Sequence, residues 1–462
     1  MNAKTMSDRT IQKKKRMIVT GEMKHFLDLV ENTSQCIFLT GKAGTGKSSL
    51  LRMLLARTSK QIVVAAPTGV AAVNVGGVTL HSLFQLPFGP FIPNIDLLGY
   101  THDALPAYKF SSEKAEVLQN MEVLVIDEVS MLRADVLDAI NDVLCHVRNN
   151  PLPFGGVQVV FIGDLYQLPP VVNKTEWKLL SSVYQTPFFF SSKALVLTEL
   201  RLVCLTHIFR QTDDNFISLL NDVRCGKLSD SSRRLLNALY KPGIDASELE
   251  DGFVMLTTHN AKADKVNQDK LDELSTQQQV FTASVKGNFS ASAMPAEFEL
   301  CLKIGAKVMF LANDNEAHLY HNGSTGVVVS FKKNSVYVRL DSNGIEIEVL
   351  RHKWVNNKYE YNSTSKMMEF VECGSFSQLP LRLAWAVTIH KSQGMTFDKL
   401  VVDAKASFSP GQVYVALSRA TGTKNLTLSS PILPETLSVD PQILNFFNSY
   451  SYDEQTLSLI HI

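Results

Sequence analysis

The chain has 462 residues, 45% hydrophobic and 19% charged, with a formal net charge of zero. That is too long for one ordinary core, so roughly two to four domains are expected. The neutral balance excludes a protein whose global field gathers nucleic acid, leaving only a local groove for such a partner. No run of 18 or more apolar residues occurs, so no segment reads as spanning a membrane.

The six cysteines are scattered with no C-x-x-C spacing, which argues against a zinc site or a disulfide framework. A reducing, cytoplasmic compartment is expected. Residues 1–16 carry six Lys/Arg and no apolar stretch. This excludes a secretory signal and reads as a frayed, flexible basic tail over 1–20, with gripping of nucleic acid as the alternative. Cys36–Thr40 is an apolar run that reads as a buried strand, and Ser49–Arg57 reads as a helix. Between them, Gly41-Lys42-Ala43-Gly44-Thr45-Gly46-Lys47-Ser48, followed by Ser49, matches G-x-x-x-x-G-K-[ST]. A strand, a glycine-rich turn and a helix N-terminus make an anion cradle of backbone N–H groups, with Lys47 for the β and γ phosphates and Ser48 for Mg²⁺. The spacing therefore predicts a nucleoside triphosphate site.

Gln61–Ala66 reads as a second strand, followed by Pro67-Thr68-Gly69-Val70-Ala71-Ala72 and Thr79-Leu80-His81-Ser82. Small polar residues at a strand's carboxyl end are what a parallel sheet offers a ligand. Phe84–Tyr108, rich in Pro, Phe and Gly, reads as an excursion from the core. Met121–Asp127 is a further apolar strand ending in Asp127-Glu128, the Walker B pattern. Asp127 is placed for the hydrated Mg²⁺ and Glu128 for the attacking water. Gly156–Ile162 leads into Gly163-Asp164-Leu165-Tyr166-Gln167, where Gln167 is a candidate γ-phosphate sensor. Strands near 36, 62, 123 and 157 with helices between them predict an α/β parallel sheet.

In the second half, Phe253–Thr257, Leu383–Thr388 and Leu400–Val402 read as strands. Ile304–Phe370 changes to alternating runs with Asn-Gly turns at Asn322-Gly323 and Asn343-Gly344, which predicts an antiparallel module inserted into a second sheet domain. Arg210 and Arg419 are candidate fingers for the transferring phosphoryl group, a role worth about 10³–10⁵ in rate.

Eight segments occur in a telling order: Gly-Lys-Ala-Gly-Thr-Gly-Lys-Ser, Ala-Pro-Thr-Gly-Val-Ala-Ala, Thr-Leu-His-Ser, Ile-Asp-Glu-Val-Ser-Met, Gly-Asp-Leu-Tyr-Gln-Leu-Pro-Pro, Phe-Arg-Gln, Ile-His-Lys-Ser-Gln-Gly-Met-Thr-Phe and Tyr-Val-Ala-Leu-Ser-Arg-Ala. From about residue 21 to 430 the chain resembles the Pif-type DNA helicases, RecD relatives in the 5′-to-3′ branch of superfamily one. Ser130–Gly156 also resembles the signature separating this family from plain RecD.

The resemblance implies two RecA-like domains, at 21–200 and 201–440. It places a wedge insertion at about 84–115 and a small SH3-like β-barrel insertion at about 304–370, followed by a C-terminal segment at 441–462. It implies a catalytic set of Lys47, Glu128, Gln167, Arg210 and Arg419. Nucleotide contacts are implied for Gly41, Gly44, Thr45, Gly46, Lys47, Ser48, Ser49 and Gly394, and Mg²⁺ contacts for Ser48 and Asp127. For single-stranded DNA it implies Thr68, Gly69, His81 and Ser82 on the first domain, and His390, Lys391, Ser392 and Asn260 on the second. Such hydroxyl, amide and imidazole groups suit phosphate and sugar without base preference. His81 and His390 can instead be core histidines, and Phe84, Phe88 and Phe91 can either stack on bases, at about 1–3 kcal/mol each, or pack internally.

The implied function is ATP-dependent translocation on single-stranded DNA and unwinding of tailed duplexes, in repair, recombination, replication or telomere maintenance, by a protein that is monomeric when free. The alternatives are a translocase that does not unwind and a DNA-binding subunit of a repair complex. The adenine-reading glutamine common upstream of the phosphate loop is missing around Gly21–His25, which leaves base selectivity open. Leu457–Ile462 resembles a translated sequencing adapter, so the reading frame is expected to be truncated.

Overall fold

The computed structural model describes residues 18–86, 89–96, 99–101, 110–242, 244, 252–314, 317, 319–365 and 367–449. Residues 1–17 of the basic tail, Phe88, Tyr108 and Leu457–Ile462 lie outside the described residues.

Six parallel strands form the first sheet, in the order Val78–Thr79, Ile62–Ala66, Val123–Ile126, Gln158–Ile162, Cys36–Gly41, Leu200–Leu205. Its four central strands are buried along their whole length, as the continuous apolar runs require of a parallel sheet covered on both faces. The helix Gly21–Asn32, capped by the Thr20 hydroxyl, lays Met23, Phe26 and Val30 on one face of this sheet. The helix Ala134–Arg148 lays Leu137, Ile140 and Leu144 on the other. The sheet sets the carboxyl ends of Cys36–Gly41 and Val123–Ile126 along one rim, where ligands of such sheets bind.

The second sheet has four parallel strands: Ala386–Thr388, Val254–Thr257, Leu400–Val402 and Leu426–Leu428. The antiparallel module is larger than the alternating runs suggested. A five-stranded sheet joins Lys307–Phe310, Thr325–Phe331, Val336–Leu340, Glu346–Val349 and Leu381–Leu383. A long hairpin, His352–Asn362 with Met367–Gln378, pairs with Ser284–Gly287. The run read as one strand, Leu383–Thr388, is divided. Leu381–Leu383 pairs with Lys307–Phe310, and Ala386–Thr388 joins the parallel sheet.

Two segments from the second half return to the first domain. The hairpin reaches the strand Ile62–Ala66, where the Tyr359 hydroxyl accepts the Val64 N–H at 2.9 Å and Met368 N–H donates to Gln61 Oε1 at 2.8 Å. The helix Pro441–Ser449 inserts Ile443 and Phe446 into the first domain's core. The Phe446 ring stacks on Phe190 at 4.4 Å between centroids, and Phe447 stacks on Tyr166 at 5.7 Å. In the excursion, Phe84 and Phe91 are buried in the same core and Phe91 N–H donates to Asp135. Packing is thus the role of both rings. A short hairpin, Asn94–Asp96 with Gly99–Thr101, follows them.

Candidate active site

The phosphate loop leaves Cys36–Gly41 and enters the helix Lys47–Leu55. Gly44 and Gly46 take the left-handed backbone, with φ of 85° and 87°. At Gly44 the requirement is also steric, because an added Cβ would stand 2.7 Å from Arg210 Cβ. The Phe209-Arg210-Gln211 segment lies directly on the loop, and Phe209 N–H donates to Gly44 O at 2.9 Å. Lys47 Nζ donates to Gly41 O at 2.7 Å and to Lys42 O at 3.2 Å. Burial lowers its pKa, while Asp164, Glu128 and Asp127 draw it back up. The Thr45 hydroxyl donates within the loop to Lys42 O, Ser48 is exposed at the helix start, and Ser49 follows it.

Asp127 and Glu128 stand at the end of Val123–Ile126. Glu128 takes a left-handed φ of 52°, a conformation rare for a residue with a side chain. Burial first, and Asp127 beside it, raise its carboxyl to about 7. Burial also raises Asp127, whose Oδ1 accepts the Glu128 N–H. Glu128 Oε2 accepts a hydrogen bond from Gln393 Nε2 of the second domain at 2.8 Å. Gln167 is buried on the adjoining rim.

The second domain closes on this rim. Arg210 Nη1 donates to Ser418 O at 3.1 Å, and Gln211 Nε2 donates to Ser418 O and Ala420 O. Arg419 is only 2% exposed. Its Nε donates to Val415 O at 2.9 Å, its Nη2 to Ser418 Oγ at 2.8 Å, and its Nη1 to Met395 O and Ser392 O. Burial lowers it to about 9, and Arg210 adds to this while Glu128 opposes. The two arginines therefore share one cleft with the Asp127-Glu128 pair. Gly394, at φ 80°, is exposed with open space around it.

Several participants escaped the sequence reading. The Tyr414 hydroxyl accepts the phosphate-loop Ala43 N–H at 2.9 Å. Arg224 Nη2 pairs with Asp164 Oδ1 at 2.9 Å and lies 3.8 Å above the Tyr166 ring. Burial pushes the Asp164 carboxyl up, but Arg224 and Lys47 outweigh it and hold it below its ordinary value. Asp164, Gln393 and Tyr414 sit inside recognised motifs. Arg224 carries no signal beyond being one arginine on the helix Asp214–Cys225.

A cavity of about 570 Å³ opens beside Glu128, and Thr68, Arg382, His390, Lys391 and Gln393 also line it. Thr68 caps the helix Gly69–Val75 by accepting the Ala71 N–H. Burial lowers the His390 imidazole, whose ring lies 6.2 Å from Phe408 at an interplanar angle of 16°. Phe408 is 64% exposed and also meets His259. His81 and Ser82 do not join this set. His81 is half-buried, with its pKa lowered by burial and then by Arg133. Ser82 lines a separate cavity of about 380 Å³ with Lys114 and Tyr359. Asn260 is exposed at the start of Asn260–Glu273. Ser392 departs from expectation. It is fully buried and its hydroxyl donates to Ile389 O, so it offers no surface to DNA and instead holds Arg419 through its carbonyl.

This geometry defines a class: nucleoside triphosphatases in which two parallel-sheet domains close on one nucleotide. The family model of PIF1-like helicases matches residues 19–234. The ATP-dependent DNA helicase Pif1 of Bdellovibrio bacteriovorus is 33% identical over 440 residues, covering 93% of this chain and 91% of that protein. The human ATP-dependent DNA helicase PIF1 is 35% identical over 429 residues, covering 89% of this chain and 61% of that protein. Among solved structures, Bacteroides Pif1 with ADP-AlF4 superposes with a TM-score of 0.86 at 40% identity, covering 94% of this chain and 97% of that one. The same protein bound to single-stranded DNA gives 0.68 at 40% identity, covering 96% and 98%. The chain belongs to the Pif1-like helicase family.

Proposed function

We propose that this protein is an ATP-dependent DNA helicase that moves 5′-to-3′ along single-stranded DNA and displaces the complementary strand. The observation that carries this reading is convergence. Lys47, Asp127, Glu128 and Arg210, which follows the first sheet's strand Leu200–Leu205, meet Arg419 of the second domain at one cleft, while Thr68, His390 and Lys391 line a cavity that also contains Glu128.

In this reading the loop N–H groups and Lys47 hold the triphosphate, Glu128 orients and deprotonates the attacking water, and Gln167 and both arginines face the γ phosphate. Ser48 and Asp127 offer two oxygens to a cation. Among the described residues no cluster of three or more His, Cys, Asp or Glu forms a dedicated metal cage, which fits Mg²⁺ held largely by phosphates and water. When bound, it neutralises charge on the β and γ phosphates. The exposed Phe408 between two imidazoles offers a stacking face for bases without regard to sequence. The segment at about 84–115 is read as the strand-separating wedge, and the antiparallel module as the family's small barrel.

Unwinding of paired 5′-tailed and 3′-tailed duplexes with ATP tests the reading. The 5′-tailed substrate is expected to open, and Lys47→Ala is expected to abolish both opening and ATP turnover. Retained DNA-stimulated hydrolysis without opening of either substrate would instead mark a translocase. No hydrolysis with single-stranded DNA present would overturn the enzyme reading.

A further inference from the structure

Three functions hang on one turn of backbone. Ile389–Met395 is folded tightly, with Ser392 N–H donating to Thr388 O and Gln393 N–H to His390 O. From this turn His390 and Lys391 face the cavity of about 570 Å³. Gln393 crosses the domain boundary and donates to the Glu128 carboxylate at 2.8 Å. The carbonyls of Ser392 and Met395 accept from the Arg419 guanidinium at 3.5 and 3.3 Å. The residue placed to activate water and the arginine placed to neutralise the γ phosphate are thus both held by a turn whose other side chains face the strand-binding cavity.

The Gln393 amide engages one lone pair of Glu128 Oε2, which fixes the direction of the carboxylate and weakens that oxygen as a proton acceptor, while Oε1 keeps its lone pairs. Hydrogen bonds to charged groups are among the stronger ones. Glu128 keeps a left-handed backbone at φ 52°, a conformation that persists only where the surrounding structure over-determines it. Gln393 is half-buried against Glu128 on the cavity wall, so displacing the turn displaces the amide. A ligand can shift such an arrangement only through differential contacts with the two states. His390 and Lys391 supply those contacts.

We propose that Gln393 is a positioning residue that restrains Glu128 in a poorly reactive orientation until a nucleic-acid strand engages His390 and Lys391. The shift of the turn then frees the carboxylate and loosens the hold on Arg419. This rests on the helicase reading above and adds to it the means by which strand occupancy governs hydrolysis.

The test compares steady-state ATP hydrolysis by the full chain with and without oligo(dT). In wild type, stimulation by oligo(dT) checks the underlying reading, and its absence would remove that reading rather than the latch alone. With stimulation present, Gln393→Ala is expected to raise kcat without DNA by about tenfold. Its KM for ATP and its DNA-saturated kcat should stay within about twofold of wild type, so the stimulation ratio collapses. Gln393→Leu, which removes the donor without adding a charge, is expected to do the same. Gln393→Lys, which keeps a donor and adds charge, should lower DNA-free kcat below wild type. Unfolding midpoints close to wild type establish that each variant is folded. Unchanged DNA-free turnover in both Gln393→Ala and Gln393→Leu, or a DNA-saturated kcat reduced tenfold or more in folded Gln393→Ala, overturns the proposal. The latter would make Gln393 part of the reacting assembly.

Discussion

Arg419 is a cation kept in the interior by its own domain's backbone. Its guanidinium donates to the carbonyls of Val415, Ser392 and Met395 and to the Ser418 hydroxyl. Burial, aided by Arg210, draws it down to about 9. A charge held this way by neutral acceptors gains when a phosphate arrives, because a buried charge is best stabilised by a partner of opposite sign. Arg419→Ala is expected to cut kcat for hydrolysis by about 10³ or more, while fluorescent-nucleotide affinity changes only a few-fold. Arg419→Lys should not restore the rate, since an ammonium cannot reproduce the fork. Equal losses in binding and turnover would make the residue structural. Lys114 gives a complementary case. Burial lowers its ammonium from 10.5 to about 8, with Lys358 adding to this and Cys373 opposing. Between these values the unfolded chain binds the proton more readily than the folded one, so this group makes stability rise with pH from about 8 to 10.5. Below 8 the full penalty applies. Lys114→Met is therefore expected to raise the denaturation midpoint at neutral pH. It should also flatten that rise, as read by denaturant titration across the window.

At the scale of elements, the hairpin His352–Gln378 shows what a sequence does and does not disclose. The Asn-Gly turns and the alternating runs before it mark the module that contains it. Its destination is not legible. That Tyr359 would end at Val64, or Met368 at Gln61, is a through-space fact with no periodicity to announce it. The buried strands around the phosphate loop were readable as continuous apolar runs. Leu200–Leu205 was missed because this edge strand mixes buried and half-buried residues without a period, with Arg201 within it. Val78–Thr79 is too short to carry a period. The same contrast holds at the site. Lys47, Asp127 and Glu128 sit in motifs whose chemistry is local, whereas Arg224 becomes visible only when it lands on Asp164. Tyr359→Phe removes the acceptor for a buried strand amide, a loss of about 1–3 kcal/mol. Hydrogen exchange at Val64 should quicken in this variant, while protection in the strand Gln158–Ile162 stays as in wild type.

At the scale of the whole molecule, the two sheet domains meet through contacts with no room to spare. Gly411, at φ 73°, opens the helix Gln412–Leu417, and a Cβ placed there would stand 2.4 Å from Tyr166 O and 2.5 Å from Gln167 O. Gly411→Ala must therefore push the second domain away from the rim that carries Gln167. The expected outcome is nucleotide affinity within a few-fold of wild type and hydrolysis reduced by at least tenfold, since misplacement by about 1 Å costs on the order of 10²-fold. A variant that hydrolyses ATP normally would show that the junction has slack.

The helix Pro441–Ser449 seats Phe446 among Phe38, Phe189 and Phe190. These rings come from segments translated hundreds of codons earlier. During synthesis the nascent amino-terminal half must wait, its aromatic seam uncovered, until this late helix clears the ribosomal exit tunnel. Apolar surface left uncovered in that interval is the kind that promotes aggregation.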